Sequence, residues 1–237
     1  VYRKEKHCSV RPCMPRRMLV AMQMEEFMTR RYELRFNRMK GCKEYRERHS
    51  LFTDYRPVTA EAVKSICFEA QLEGISAIEY DVQRYVDSRR VSHYWPIEEF
   101  LFDLPHWDGQ DRIRALADCV PCENKEWRDF FYIWFLSMVA HWLQMDREHA
   151  NSTSPLLVGP QGCCKSSFCQ SLLPPELRPY YVDGIDLGSR KDAEMALNRF
   201  ALINLDEFDS IPASRQPYLK NLLQKAKVTL RKPYGES

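Results

Sequence analysis

The run "GPQGCCKS", Gly159 to Ser166, sets two glycines, a cation and a hydroxyl within eight positions. A glycine-rich turn that leads into a helix can wrap its backbone N–H groups around an anion, because no side chain crowds the cradle. In that pattern Lys165 brings a point charge to the β- and γ-phosphates of a nucleoside triphosphate, and Ser166 offers a hydroxyl to Mg2+. About forty residues on, "ALINLDE" ends an apolar run on Asp206 and Glu207. Asp206 would hold Mg2+ through water, and Glu207 would orient or deprotonate an attacking water. The candidate ATP-binding residues are Gly159, Pro160, Gln161, Gly162, Cys163, Cys164, Lys165, Ser166 and Ser167. Ser166 and Asp206 are the candidate Mg2+ residues, and Lys165 and Glu207 the candidate catalytic ones.

Position 164 departs from the pattern. G-x-x-x-x-G-K-[ST] asks for glycine where this chain has Cys164. If the residue takes a left-handed backbone, its Cβ costs about 1–2 kcal/mol. If the backbone is already helical, the strain vanishes but the side chain crowds the β-phosphate. A thiolate beside Lys165 would also repel the nucleotide. Both cases predict a folded loop with weakened ATP affinity and little turnover.

Such residues need elements to position them. "PLLV", residues 155–158, reads as a strand entering the loop, and "SSFCQSLL" as the helix leaving it. "YYVD" reads as a second strand, "RKDAEMALN" as a helix, and "FALINLDEFD" as an apolar strand ending in acids. "SRQPYLKNLLQK" is helical and "KVTLRK" is a last strand. Strands alternating with helices predict an α/β fold, with a P-loop NTPase parallel sheet over residues 150–237. The extra strand and helix between the two motifs, with the adjacent acids, resemble the additional-strand, catalytic-glutamate branch of P-loop proteins. That branch includes ring helicases and AAA+ proteins.

Upstream, "YELRFN" alternates as a half-buried strand does, Gly41 marks a turn, and "KEYRER" returns. A helix comes next with Thr59 as N-cap and Gly74 as stop, carrying Val63, Ile66, Cys67 and Ala70 on one face. "SAIEYDVQRYVDSRR" is a further helix. Asp108 and Asp111 are candidate caps for the helix through Arg112 to Asp118. Lys125 to Met145 reads as a helix buried on several sides. The expected organisation is a poorly ordered basic extension over 1–26 and a small α+β module over 27–94. A helical linker region over 95–149 and the P-loop core over 150–237 complete it.

The composition divides along the same lines. The formal charge is +2, yet residues 1–56 carry +8 and the rest −6. This asymmetry implies two modules with different surfaces, the first suited to phosphate backbones or simply solvated. Nine cysteines, two of them adjacent and with no secretion signal, point to a reducing, cytoplasmic setting. The apolar run Phe130–Ala140 is too short to cross a bilayer, so no membrane partner is expected. The chain opens on Val1 and ends at Ser237 just after an expected strand, which reads as a truncated core.

Four stretches together, "LPHWDGQDRI", "LLVGPQGCCKSSFCQSLLP", "NRFALINLDEFD" and "LKNLLQKAKVTLRKPYG", resemble the virulence-associated protein E family. These are P-loop ATPases of phages and mobile elements, similar to superfamily 3 helicases. The resemblance runs from about Trp95 to the end, more weakly back to about Phe27. It implies ATP-driven work on single-stranded or replication-fork DNA, and a homo-oligomeric ring for the full-length protein. The family pattern carries over at Gly159, Gly162, Lys165, Ser166, Asp206 and Glu207, and departs at Cys164. Its later sensor residue and arginine finger would lie beyond Ser237. Lys220 and Arg231 stand at family-typical basic positions, facing nucleotide, DNA or solvent.

Two other readings compete. One is a non-hydrolysing DNA-binding or scaffold remnant of such an ATPase; the other is a small-molecule P-loop phosphotransferase, for which acceptor and lid residues are not evident. "CVPC", Cys119 to Cys122, is half a zinc site without a second pair, and Cys8 and Cys13 are weaker still. His106 and Trp107 read as packing the linker against the ATPase domain. The stripe of Trp127, Phe131, Trp134, Met138 and Trp142 reads as core, since base stacking needs cations beside exposed rings.

Overall fold

The computed structural model describes residues 14–51, 53–145, 153–208 and 211–223. It is a mixed α/β protein with small sheets, divided into two compact units, one up to Tyr94 and one from Trp95.

The first unit begins with helix α1, Arg16–Arg31. This departs from the irregular extension expected through residue 26. The reason lies in where burial starts: Met24, Phe27 and Met28 recur at helical spacing and are buried, whereas Met18, Leu19 and Met22 stay exposed. Strands β1, Tyr32–Asn37, and β2, Cys42–Glu47, pair antiparallel, with Leu34 opposite Tyr45. Gly41 turns between them at φ +66°, a backbone that glycine enters without strain. A two-residue strand β3, Arg56–Pro57, edges β2.

Helix α2, Ala60–Leu72, starts where Thr59 Oγ1 accepts the Ala62 N–H at 3.2 Å. Helix α3, Glu79–Val86, comes after it, and strand β4, Ser92–Tyr94, runs parallel to β1. The sheet order is β3-β2-β1-β4. Val63, Ile66, Ala70, Val82 and Val86 pack with the α1 residues over Tyr32, giving the unit its core. On the sheet's other side Glu44, 1% exposed, accepts from Arg35, Asn37 and Lys40. Burial alone would raise its pKa. The hydrogen bonds from Lys40, Asn37 and Arg35 outweigh that and hold it below the usual carboxylate range.

The second unit opens with helix α4, Pro96–Phe102. Asp111 caps helix α5, Arg112–Ala117, by accepting the Arg114 N–H at 3.0 Å. Asp108 instead takes the Gln110 N–H at 3.1 Å and pairs with both ends of the Arg112 guanidinium, so it builds the turn before the cap. Helix α6, Trp127–Trp142, carries the aromatic stripe. His106 and Trp107, expected to pack the linker against the downstream domain, are exposed, Trp107 by 79%. The indole of Trp107 donates to the Gln110 carbonyl at 3.1 Å, which keeps it in its own turn.

Downstream come helix α7, Lys165–Ser171, and strand β5, Tyr181–Asp183. Helix α8, Arg190–Arg199, starts with Ser189 accepting the Asp192 N–H at 3.3 Å. Strand β6, Leu202–Asn204, and helix α9, Gln216–Leu223, complete the described chain. β5 and β6 form a two-stranded parallel sheet in which Asp183 faces Asn204. The strand expected at Pro155–Val158 is irregular backbone. Leu156 and Val158 are 67% and 88% exposed, and no ladder partner lies beside the segment among the described residues. A run of apolar residues without a neighbour to bond has no strand to join. The expected strand "KVTLRK", with Arg231, lies outside the described residues.

Candidate functional site

α6 is the platform on which the site is assembled. Phe131, 1% exposed, packs with Trp134 and Met138 against Ala117 of α5 and Leu172 beside α7. Phe168 of α7 meets Phe131 with ring centroids 6.1 Å apart, and Leu202 of β6 joins the same cluster. The Trp142 indole donates to the Ala201 carbonyl at 2.8 Å, fixing the start of β6. One aromatic core therefore holds the helix after the glycine loop and the strand before the acids.

The loop itself contains two left-handed residues. Gly162, at φ +82°, adopts this backbone freely. Cys164, at φ +62° and ψ +24°, does so with a Cβ, and it stands at the N-cap of α7 without a side-chain cap hydrogen bond. Of the two backbone states open to position 164, the strained one is present. Gly159 is pressed for a different reason: a Cβ there would lie 3.1 Å from Cys163 Sγ.

Lys165 folds back over this loop. Its ammonium donates to the carbonyls of Gly159 at 2.8 Å and Pro160 at 2.9 Å, and to Cys163 Sγ at 3.5 Å. Ser166, half-buried, donates its hydroxyl to Asp206 Oδ2 at 2.9 Å. The other oxygen, Asp206 Oδ1, accepts the Glu207 N–H at 3.0 Å. Glu207 is a second non-glycine residue in left-handed backbone, at φ +51°, next to the acid that Ser166 binds. Pro160, Gln161, Cys163, Cys164, Ser167, Asp206 and Glu207 are exposed, so the arrangement opens to solvent.

A further cluster was not singled out from the sequence. Asp183, at the end of β5, accepts from Asn204 Nδ2 at 3.0 Å and from the Tyr181 hydroxyl at 2.5 Å. Burial, and after it that bond to Asp183, pushes the Tyr181 phenol well above its usual range. Cys169 is raised as well, first by burial and then by the charges of Asp183 and Asp206. Asp183 thus belongs to the same acidic end of the sheet as Asp206. Its only sequence signal is its place as the last residue of a short apolar strand.

Among the remaining candidates, Lys220 is exposed on α9. Cys119 and Cys122 are exposed after α5. Among the described residues, no helix is long and apolar enough to cross a membrane.

The sequence model described as the virulence-associated protein E-like domain matches residues 101–237, more than half of the chain. No curated protein matches it.

Proposed function

The chain belongs to the virulence-associated protein E-like family, a family of P-loop ATPases of phages and mobile elements, and from that premise we propose that its second unit binds ATP with Mg2+ in the service of helicase-like work on DNA. The observation that carries this reading is the 2.9 Å bond between Ser166 and Asp206. It joins the glycine loop, whose carbonyls Lys165 holds, to the acids beyond β6, forty positions away.

Each residue then has a role. The loop from Gly159 to Ser167 surrounds the phosphates with backbone N–H groups. Lys165 trades a loop carbonyl for a phosphate oxygen, keeping its ammonium hydrogen-bonded throughout. Ser166 Oγ and the Asp206 carboxylate are hard oxygen donors set side by side, and they suit a small cation that retains most of its waters. Bound there, Mg2+ would neutralise charge on the β- and γ-phosphate oxygens. Glu207 orients or deprotonates the attacking water from a backbone that tethers it to Asp206. β5 and β6 are read as part of a P-loop parallel sheet, and the basic excess of residues 1–56 suits a nucleic-acid backbone. A ring of full-length copies belongs to the same proposal.

The left-handed Cys164 favours a second reading, a remnant that retains the fold and DNA or scaffold contacts without hydrolysis. Release of radiolabelled phosphate from ATP, with and without single-stranded DNA, separates the two. DNA-stimulated release supports the ATPase. Silence in both supports the remnant, and transfer of label to a small acceptor supports a phosphotransferase.

A further inference from the structure

The aromatic stripe of α6 is taken up by the core, but one face of the first unit's sheet sets rings beside cations. Leu34 and Tyr45 pack against the helices, so Arg35 and Glu44, the next residues along β1 and before Tyr45 on β2, project to the other side. The Arg35 guanidinium carbon lies 3.5 Å from the ring centroid of Tyr55, just before β3, and 3.6 Å from that of Tyr94, the last residue of β4. At such distances two rings fit only on opposite faces of the guanidinium, so Tyr55, Arg35 and Tyr94 form one stack. Its steps are close to the spacing of about 3.4 Å between successive units of a nucleic-acid strand. Arg46 extends the stack, 4.8 Å from the Tyr55 centroid. Both rings are half-buried and keep part of their surface in solvent.

Charge on this face is positive in balance. Arg35 and Lys40 hold Glu44, while Arg46 and, at 4.0 Å, Arg48 hold Glu33, so two carboxylates meet four cations. Lys40 and Arg48 are exposed, and Arg38 adds an exposed guanidinium at the same hairpin turn. One cation neutralises each carboxylate, and the surplus suits an anionic polymer.

We propose that this face is the docking surface for single-stranded DNA, with bases stacking on Tyr55 and Tyr94 and phosphates meeting Arg46, Arg48 and Lys40. A basic patch by itself takes duplex and single strand alike. Rings add a preference, because they stack on bases that a duplex keeps covered. Arg35 stays in place as the pillar between the two rings, bonded to Glu44 at 3.0 Å. The choice of DNA rests on the function proposed above; the stack and the charge do not.

The test titrates the whole chain, without ATP or Mg2+, into a fluorescently labelled oligothymidylate and follows its anisotropy. A hairpin duplex and an oligouridylate of the same length run beside it. Oligothymidylate should bind tightest. Tyr94→Leu keeps apolar bulk but removes the ring, and should weaken binding about fivefold or more, while Tyr94→Phe should retain it. Arg46→Gln should lower the slope of log affinity against log salt by about 0.7, the share of one phosphate contact. In the unaltered chain, photocrosslinking to an iodouracil-substituted strand should mark Tyr55 or Tyr94 by peptide mass mapping, which needs no variant to fold. Equal affinity for strand and duplex, an unchanged Kd in Tyr94→Leu, or crosslinks confined to the second unit would each overturn the platform. Tighter binding of oligouridylate would overturn the assignment to DNA. A chain that binds the strand but not ATP counts against the nucleotide site and leaves this face standing. One that binds ATP with Mg2+ but not the strand does the reverse.

Discussion

Replacing Cys164 by glycine should make the second unit more stable and its phosphate loop more receptive. Cys164 holds φ +62° and ψ +24°, where a side chain costs about 1–2 kcal/mol. Glycine removes that strain but gives the unfolded chain more freedom, which costs about 0.4–1 kcal/mol. The difference leaves a net gain of about 0.5–1 kcal/mol. For a unit of this size that is a rise in Tm of about 1–4 °C. All five tryptophans, Trp95, Trp107, Trp127, Trp134 and Trp142, lie in the second unit, so indole fluorescence during urea unfolding reports on it selectively. Cys164→Ala is the matched control, because it removes the sulfur and keeps the Cβ. Glycine should stabilise and alanine should not. Equal stability of the two variants would refute the strain argument, and a less stable glycine variant would reverse it. If the thiol weakens nucleotide binding by crowding alone, alanine should recover part of the affinity and glycine more.

The bond from Ser166 to Asp206 is solvent-exposed, so Ser166→Ala should change stability by about 1 kcal/mol or less while weakening Mg2+-dependent ATP binding about tenfold. Calorimetric titration beside a urea melt separates the two effects. Asp183→Ala removes the acceptor for Tyr181 and Asn204, and should speed hydrogen exchange at the β5–β6 amides while those of β1–β2 stay unchanged. Glu44 lies below its ordinary value of 4.5 in the folded protein. Its contribution to stability is therefore complete above that value and lost as pH falls through the lower folded one. Glu44→Gln should cost about 2 kcal/mol near neutral pH and flatten the acid dependence of the first unit, read from exchange at the β1–β2 amides.

Much of the framework was legible because its signals are local. The alternation in Tyr32–Asn37, the caps at Thr59 and Asp111, and the stripe from Trp127 to Trp142 each arise from periodicity or side-chain chemistry. The glycine loop and Asp206 were singled out together from their residue types, and the bond from Ser166 to Asp206 joins those two stretches. Elements defined by partners were not. β3 and β4 are two and three residues long, too short for any period to appear. The apolar run Pro155–Val158 looks like a strand in isolation, yet only a neighbour makes one. Asp183 gains its place from the register that sets it opposite Asn204. Nothing in the residue type of Glu207 foretells φ +51°, and the contact of Lys165 with Cys163 exists only once the loop has turned.

The most direct measurement is a calorimetric titration of the Cys164→Gly chain with ATP, with and without Mg2+, beside the same chain carrying Lys165→Met. Binding should require Mg2+ and weaken at least about tenfold when the ammonium is lost. Equal affinity in both chains, or no binding by either in the presence of Mg2+, would contradict a triphosphate site built on Lys165, Ser166 and Asp206.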